Sequence, residues 1–246
     1  MYRHDGLMTR ASTLTVAPFP WPLLCAMGNA MSQSTFTILL GGELSLTERL
    51  RSAVSGSRFI AADGGMRHAA ALGVVPELWV GDFDSTPPDL EGAFPHVPKQ
   101  PYPAAKAATD GEIAVSEAIA RGARRLVLAG ALGGERSDHA LQHLLYAVSL
   151  AEQGFDILLT SGTEEAVPLI AGTIELDLPR NSLFSVSGFS ELHGLFIENA
   201  RYPLIDFHLP FGSSRTISNI AQGKVRFTLG SGRAIVLARP DDFSGV

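Results

Sequence analysis

The chain contains little cysteine and little charge. Its one cysteine, Cys25, cannot form a disulfide within the chain, which fits a reducing compartment. Charged residues make up only 18% of the 246 residues, whereas hydrophobic residues make up 46%. An average domain has about 25% charged residues. This balance excludes a disordered chain and predicts a compact fold around a large buried core.

Signatures of several common function classes are also missing. The net charge of −6 leaves no broad basic face for a nucleic acid. No apolar run reaches the length of a membrane span, and the nearest candidate, residues 14–27, is interrupted by three prolines. The sequence lacks a Gly-x-x-x-x-Gly-Lys-Ser/Thr loop, a protein-kinase motif set, a Gly-x-Ser-x-Gly elbow and zinc-spaced Cys/His clusters. We therefore expect a cytoplasmic protein with no nucleic-acid partner and no membrane partner.

The sequence pattern of residues 1–35 differs from that of the rest of the chain. Arg3 and Arg10 precede the apolar run, as in a secretory signal, but closely spaced prolines are unusual in such a segment. We interpret residues 1–35 as a disordered N-terminal extension, or as the product of a start placed too early, with Met27 or Met31 as the true start.

Short apolar runs alternate with helical patterns between residues 36 and 171. This alternation predicts an α/β domain with a mainly parallel, Rossmann-like sheet. Ser45-x-x-Glu48 and Thr109-x-x-Glu112 are capping boxes that predict the starts of two helices. A third helix is predicted from an apolar stripe of Leu141, Leu144, Leu145, Val148 and Ala151. The buried strands are predicted at residues 36–40, 58–62, 78–80, 125–129 and 156–160.

The helical pattern disappears beyond about residue 172. Short apolar runs separated by turn residues predict a small antiparallel β domain over residues 172–246. Pro168 and Gly172 mark the expected boundary between the two domains. Strands are predicted at residues 173–178, 183–186, 195–198, 204–207, 224–228 and 234–238.

Carboxylates follow two of the predicted parallel strands. Asp63 follows the strand at 58–62, Asp82 and Asp84 follow the next strand, and Asp110 stands at a helix start. In an open parallel sheet, ligands bind beyond the carboxyl ends of the strands. Clustered carboxylates repel one another, and Mg²⁺ removes that cost while binding substrate phosphates. The acids therefore predict a magnesium site at this edge, although the dipole of a helix start alone would also favour Asp110.

Glycine-rich turns and basic residues near the same edge indicate phosphate binding. The turn at residues 130–134 lets backbone N–H groups approach an anion, and the helix behind it adds its dipole. Lys106 and Arg136 offer charge for phosphate. The sum indicates Mg²⁺–nucleotide chemistry. Simpler roles stay open for Thr109 and Asp138 as helix caps and for His139 as a core or capping histidine.

The order of these motifs resembles the thiamine pyrophosphokinase family. That family shows, in sequence, an Ala-Asp-Gly-Gly turn, a Gly-Asp-Phe-Asp-Ser loop, a Lys-Asp-x-Thr-Asp stretch, a Gly-Gly-Arg-x-Asp-His turn and a Ser-Asn-Glu motif in a β domain. The resemblance covers nearly all of residues 37–237. The corresponding segments here are residues 62–65, 81–85, 106–110, 133–139 and Ser218-Asn219.

The resemblance implies an enzyme that transfers diphosphate from ATP to the hydroxyl of thiamine, giving thiamine diphosphate and AMP. It implies Mg²⁺ at Asp82, Asp84 and Asp110, which with Asp138 would be the catalytic residues. It also implies a homodimer, with thiamine bound by Ser218 and Asn219 at the subunit interface. The implied ATP-binding residues are Asp63, Gly64, Gly65, Lys106, Thr109, Gly133, Gly134, Arg136 and His139.

The chain departs from the family pattern at three positions. Ala107 stands where the family often has Asp, Ile220 replaces the Glu after Ser218-Asn219, and Glu135 is an extra residue before Arg136. These departures keep two alternatives open. One is a pyrophosphokinase that acts on another alcohol, such as a pterin. The other is a thiamine- or nucleotide-binding protein without catalysis. A kinase that transfers the γ-phosphate is a third reading, and it would release ADP rather than AMP.

Overall fold

The computed structural model describes residues 34–84, 86–103, 107–134 and 136–245. The predicted N-terminal extension lies outside these residues, apart from its last two positions. The α-helices within these residues are α1 Glu48–Val54, α2 Arg67–Leu72, α3 Pro88–Ala93, α4 Asp110–Ala120 and α5 Ser137–Glu152. The strands are β1 Thr35–Leu39, β2 Arg58–Ala62, β3 Leu78–Gly81, β4 Lys99–Pro101, β5 Arg125–Ala129, β6 Asp156–Thr160, β7 Glu165–Leu169, β8 Gly172–Leu176, β9 Leu183–Gly188, β10 Leu192–Ala200, β11 Leu204–Leu209, β12 Asn219–Leu229 and β13 Ala234–Arg239.

One large mixed sheet runs through the molecule. Strands β4, β3, β2, β1, β5 and β6 are neighbours in that order, and each pair is parallel. The sheet then continues through β7, β13, β9, β12, β10 and β11 with antiparallel pairs, and β8 pairs with β12. The predicted α/β class is confirmed, but the sequence did not show that both kinds of pairing belong to one continuous sheet.

Helices cover both faces of the parallel part. Phe36 and Ile38 face α4 and α5 in one buried cluster, whereas Leu39 and Trp79 face α1 and α2 in another. This alternation follows from the period of two along a strand, because successive side chains point to opposite faces. Strands β1, β2, β3, β5 and β6 are almost continuously apolar, as expected for a sheet that is buried on both sides, whereas the edge strand β4 is polar and largely exposed.

Strand β7 is the element that sequence reasoning missed and that joins the two parts. It pairs with β6 on one side and with β13 on the other. Pro168 lies within this strand, opposite Ile235, and not in a linker. The buried Glu165 at its start is held by Arg49, whose Nε donates to Oε1 at 2.6 Å. A short strand with a proline and a charged end lacks the usual strand pattern.

Helix α1 begins at a different cap from the predicted one. Thr47, not Ser45, is the N-cap residue, and its hydroxyl accepts a hydrogen bond from Leu50 N. The same hydroxyl donates to Gly162 O at 2.9 Å, so a loop distant in sequence decides which residue caps the helix. The capping box predicted at Ser45 is therefore wrong.

The apolar stripe predicted for α5 is confirmed only in part. Val148 is buried, but Leu141 and Leu145 are 52% and 43% exposed. The residues of α5 that enter the core fully include Ala147 and Leu150. In the residues that the structure describes, no helix is long and apolar enough to cross a membrane.

Candidate active site at the carboxyl ends of the parallel strands

The strand order reverses between β1 and β5, which are neighbouring parallel strands. Strands β2, β3 and β4 lie on one side of β1, and β5 and β6 lie on the other. The loops that follow β1 and β5 meet there, because Gly42 N donates to Gly130 O at 3.0 Å. A Cβ at Gly42 would overlap that carbonyl oxygen, so only glycine allows this approach. Crevices at such reversal points are the usual ligand sites of open parallel sheets.

Asp63 occupies the first turn after β2 in a strained backbone conformation. Its φ is 43°, a left-handed value that is uncommon for residues other than glycine. The indole Nε1 of Trp79 donates to the Asp63 carbonyl at 2.9 Å and holds the turn in place. A Cβ at Gly81, on the neighbouring strand end, would lie only 3.2 Å from the Asp63 Cα. Strain of this kind persists only where the surroundings enforce it, and it is often found at functional sites.

The environment of the Asp63 carboxyl disfavours its charged form. Its Oδ1 is buried without a hydrogen-bond partner among the residues that the structure describes. Burial raises the pKa of Asp63, the Gly64 N–H group lowers it, and the charges of Asp110, Asp82 and Asp84 raise it again. These interactions show that the four predicted acids lie near one another at the strand ends.

In the loop after β3, the aromatic residue Phe83 stands between Asp82 and Asp84. Phe83 has a φ of 61° and packs edge-on against Trp79, with ring centroids 5.2 Å apart. Asp82, before it, is half-buried, and Asp84, after it, is exposed. The Asp84 N–H donates to Asp82 Oδ1 at 3.3 Å. The predicted Asp-x-Asp pair is therefore held by its central aromatic residue.

Helix α4 begins beside this edge with the predicted capping box. Thr109 N donates to Glu112 Oε2 at 2.8 Å, and Glu112 N donates to the Thr109 hydroxyl at 3.2 Å. The capping role of Thr109 is thus confirmed. Gly111 lets the helix start close to β1, because a Cβ there would lie 2.9 Å from Leu40 Cδ2. Lys106, predicted to bind phosphate, lies outside the described residues.

The start of α5 carries an ion pair within one turn. Arg136 donates to Asp138 through Nε and Nη2, at 2.9 and 2.7 Å. This hydrogen bonding holds the pKa of Asp138 well below its usual range. Both side chains are 65% exposed, so solvent is open to them. Gly133 and Gly134, just before them, have φ values of 70° and 91° that suit glycine. Glu135 lies outside the described residues.

A hollow of about 220 Å³ lies between the starts of α4 and α5. His143 forms part of its wall and is fixed by a 3.0 Å hydrogen bond between its Nδ1 and the Ala131 carbonyl. Burial lowers the pKa of His143. Sequence reasoning missed this residue, although it stands one helical turn after His139. The hollow is lined by Thr109, Asp138, His139, Gln142 and His143.

Arg67 and His68 are two further residues at this edge that sequence reasoning missed. The Arg67 guanidinium donates to the carbonyl oxygens of Gly41 and Gly42, and His68 Nε2 lies 2.9 Å from Gly42 O. They brace the loop after β1 from the beginning of α2. Their only sequence signal is their position directly behind the Ala-Asp-Gly-Gly-Met turn.

Gly64 and Gly65, predicted to bind ATP, differ in their surroundings. A Cβ at Gly65 would overlap the Leu39 carbonyl, so this buried glycine serves the close packing of the turn against β1. A Cβ at Gly64 would meet only the end of the Arg67 side chain, at 3.6 Å. Of the two, Gly64 is the one with room beside it.

Ser218 and Asn219 line a second hollow, of about 140 Å³, in the antiparallel part. Asn219 is buried, donates to the Tyr202 carbonyl at 2.8 Å and accepts from the N–H groups of Tyr202 and Ile220. Its amide thus holds the wall of the hollow in place. Ser218 is exposed with a φ of 59°. The hollow is lined by Tyr202, Leu204, Arg215, Thr216, Ile217, Ser218 and Asn219.

Ile220, which departs from the resembled motif, is a core residue. It is 4% exposed and pairs with Leu183 of β9. A carboxylate at this depth would be costly without a partner. The local packing of this chain therefore favours an apolar side chain at position 220.

The acids at the strand ends are spread out and not closed around a point. In the part of the chain that the structure describes, no three of them bring ligand atoms within 4.8 Å of one another. Mg²⁺ usually takes only one or two carboxylates and completes its shell with water and substrate phosphates. The buried, unpartnered Asp63 oxygen and the mutual repulsion of the acids fit such a cation.

Sequence comparison finds relatives of this chain among known proteins. The family described as "Thiamin pyrophosphokinase, catalytic domain" matches residues 51–159, which contain β2 to β5, all but the last residue of β6, and the four acids. A thiamine pyrophosphokinase of Bacillus subtilis is 27% identical over 217 residues, covering 84% of this chain and 99% of that protein.

Solved structures show a similar fold. A crystal structure of thiamine pyrophosphokinase from Bacillus subtilis has a TM-score of 0.75 at 24% identity, covering 85% of this chain and 100% of that one. A thiamin pyrophosphokinase from Geobacillus thermodenitrificans has a TM-score of 0.73 at 26% identity, covering 86% and 100%. Over the strand-end acids and in its overall fold, this chain is therefore similar to thiamine pyrophosphokinases, which are enzymes.

Proposed function

We propose that the chain transfers diphosphate from ATP to the hydroxyl of thiamine, forming thiamine diphosphate and AMP. The family match supports formation of thiamine diphosphate in general. The observation that carries the proposal is the half-buried Asp63 carboxyl at the ligand-binding edge, whose pKa is raised by burial and further by the charges of three neighbouring acids. Such a cluster costs stability unless a cation and phosphates complete it.

Magnesium is the cation that this donor set fits. Asp82, Asp84 and Asp110 would hold it, since hard oxygen ligands and open space for phosphates suit Mg²⁺. When bound, Mg²⁺ neutralises the charge on the phosphates of ATP. The strained turn at Asp63 and the Phe83–Trp79 contact position the carboxylates before ATP binds. Preorganised charges of this kind contribute most of the catalysis in phosphoryl transfer.

The starts of α4 and α5 would bind the phosphates of ATP. The N–H groups at Gly133 and Gly134 and the exposed Arg136 guanidinium are available to an anion. Lys106, Thr109 and His139 are assigned to the same task, with Gly64 beside Asp63. Because Arg136 is paired with Asp138, a phosphate would have to share or replace that contact.

The pocket lined by Ser218 and Asn219 would receive thiamine. Large apolar side chains around it are exposed in the single chain, which supports a homodimer whose second copy completes the pocket. In this proposal, residues 36–171 bind the nucleotide, residues 172–246 bind thiamine, and the enzyme works in the cytoplasm. The exposed apolar residues are Tyr202, Ile205, Phe211 and Ile217.

The proposal is tested by incubating the protein with ATP, Mg²⁺ and thiamine and resolving all products. We expect one AMP for each thiamine diphosphate, and no reaction when Mg²⁺ is removed with EDTA. ADP with thiamine monophosphate would mean a γ-phosphate kinase. AMP formation only with a pterin alcohol would reassign the acceptor. Tight nucleotide binding by folded protein without any turnover would mean a binding protein.

A further inference from the structure

We propose that Glu191, His193 and His208 form a binding site for a borderline divalent cation of the zinc class, on the antiparallel part of the sheet. One ligand atom from each of these side chains lies within 4.8 Å of the other two. The site is separate from the strand-end acids, and it shares no residue with the pocket at Ser218.

The pairing of β10 with β11 brings the two histidines together. Leu192 lies opposite Leu209, each histidine is the next residue along its strand, and the register shifts before Leu195 pairs with Phe207. Both leucines are buried, whereas both histidines are exposed. The imidazole rings lie face to face, with centroids 4.5 Å apart and planes 6° from parallel.

Glu191 reaches the same outer face from two residues before His193. Its Oε2 lies 3.7 Å from His193 Nε2. The backbone of His193 is fixed on both sides, since its N–H donates to Ser231 O and its carbonyl accepts from Ser231 N, each at 3.0 Å. The two histidines are thus carried by paired strands, and Glu191 stands directly before the first residue of β10.

Arg233, a cationic side chain near this site, forms an ion pair with a residue outside it. Arg233 follows the Ser231 turn, and its Nε donates to Glu152 Oε1 of α5 at 2.6 Å. Glu191 remains more than half exposed, as does His193. The carboxylate therefore retains acceptor capacity that a metal ion can use.

The donor set selects the class of metal. Two imidazoles and one carboxylate suit Zn²⁺ and similar ions, whereas Mg²⁺ prefers oxygen ligands alone. Two ligand atoms about 2.1 Å from a tetrahedral zinc lie roughly 3.4 Å apart, so a small closing rotation of the side chains suffices. The fourth position would stay open to water. A bound ion would join β11, the last strand of the sheet order, to β10.

The experiment measures zinc binding by isothermal titration calorimetry to the untagged full chain, without nucleotide and after removal of metal with EDTA. We expect one Zn²⁺ per chain and a melting temperature that rises by a few degrees at saturation. His208→Ala and His193→Ala should each weaken binding at least 10-fold, and Glu191→Gln should weaken it less. His96→Ala removes an exposed histidine elsewhere and should bind like the parent.

Asp82→Asn serves as a second control, because it alters the strand-end acids and should leave this zinc binding unchanged. Co²⁺ offers an independent readout, since its visible spectrum should change on binding and the change should disappear in His208→Ala. Zinc binding that survives both histidine substitutions, or that disappears in Asp82→Asn, would overturn the proposal. Failure to bind zinc at millimolar concentration would overturn it equally, with no consequence for AMP formation from ATP.

Discussion

The acids at the strand ends and the pocket at Ser218 and Asn219 treat their polar groups in opposite ways. At the parallel edge, the half-buried Asp63 carboxyl has one buried oxygen without a hydrogen-bond partner among the described residues, and it lies close to three like charges. In the antiparallel part, the Asn219 amide is buried with hydrogen bonds to Tyr202 and Ile220. The first arrangement leaves carboxylate charge without a hydrogen-bonding or ionic partner, as a ligand site requires. The second satisfies a buried amide and so fixes the wall of the pocket. Substitutions should therefore damage activity at one place and stability at the other.

The largest effect is expected from neutralising the loop after β3. Asp82→Asn or Asp84→Asn should lower turnover by at least about 100-fold, because each removes a charge aimed at the metal and phosphates. The melting temperature should change little, since neither residue is part of the core. Steady-state AMP formation is the measurement, and Asp89→Asn, on exposed α3, is the matched control. Full activity in both variants would refute the metal assignment.

Asn219→Ala should have the largest effect on stability. It removes the hydrogen bonds to Tyr202 and Ile220 and leaves buried backbone groups unpaired, which should cost about 1–3 kcal/mol. Urea denaturation of the full chain measures this loss. Ser214→Ala, at an exposed position in the loop between β11 and β12, should leave the free energy of unfolding within about 0.5 kcal/mol. Equal stability of the two variants would show that Asn219 does not hold the pocket wall.

Asp63→Asn should stabilise the metal-free protein while reducing activity. The pKa of Asp63 is raised on folding, so its ionisation opposes folding as the pH rises above the pKa of the unfolded chain. The gain from Asn should thus be present at pH 7 and should vanish at pH 3, where both states are protonated. Thermal melts with EDTA at the two pH values test this. A stability loss at pH 7 would contradict the charge argument.

The smallest effect on stability is expected at the start of α5. Arg136→Ala breaks an ion pair with Asp138 that is exposed to solvent, so the free energy of unfolding should change by less than about 1 kcal/mol. The KM for ATP should nevertheless rise several-fold, because the guanidinium is the exposed phosphate ligand of the proposal. Arg180→Ala, a substitution of an exposed arginine in the antiparallel part, is the control. An unchanged KM would remove Arg136 from the nucleotide site.

Local patterns were sufficient where the signal is contained in a few neighbouring residues. The strands at 58–62, 125–129 and 156–160 were predicted with the bounds that the structure shows, and every other predicted strand is present with shifted ends. The capping box at Thr109 depends only on residues within one turn, and it was predicted correctly. A helix cap is visible locally because the backbone N–H groups at a helix start need hydrogen-bond partners close by in the sequence. A strand buried on both faces is visible because it is a continuous apolar run.

Predictions failed where a partner distant in sequence decides the outcome. Thr47 replaces Ser45 as the cap because Gly162 accepts its hydroxyl. Leu141 and Leu145 of α5 are exposed, although they continue the apolar stripe. Strand β7 exists because β6 and β13 flank it. Periodicity cannot show which face of a helix finds a neighbour, or whether two sheets will merge.

The sequence by itself determined the alternation of strands and helices, the positions of the acids after the strands, and the glycines that the turns require. Those features depend on short-range backbone geometry. Only the tertiary structure decided that Asp63 lies half-buried near three other acids, that Asn219 holds the wall of its pocket, and that the rings of His193 and His208 stack. Each of these depends on register and burial between segments far apart along the chain, where packing and electrostatics act through space.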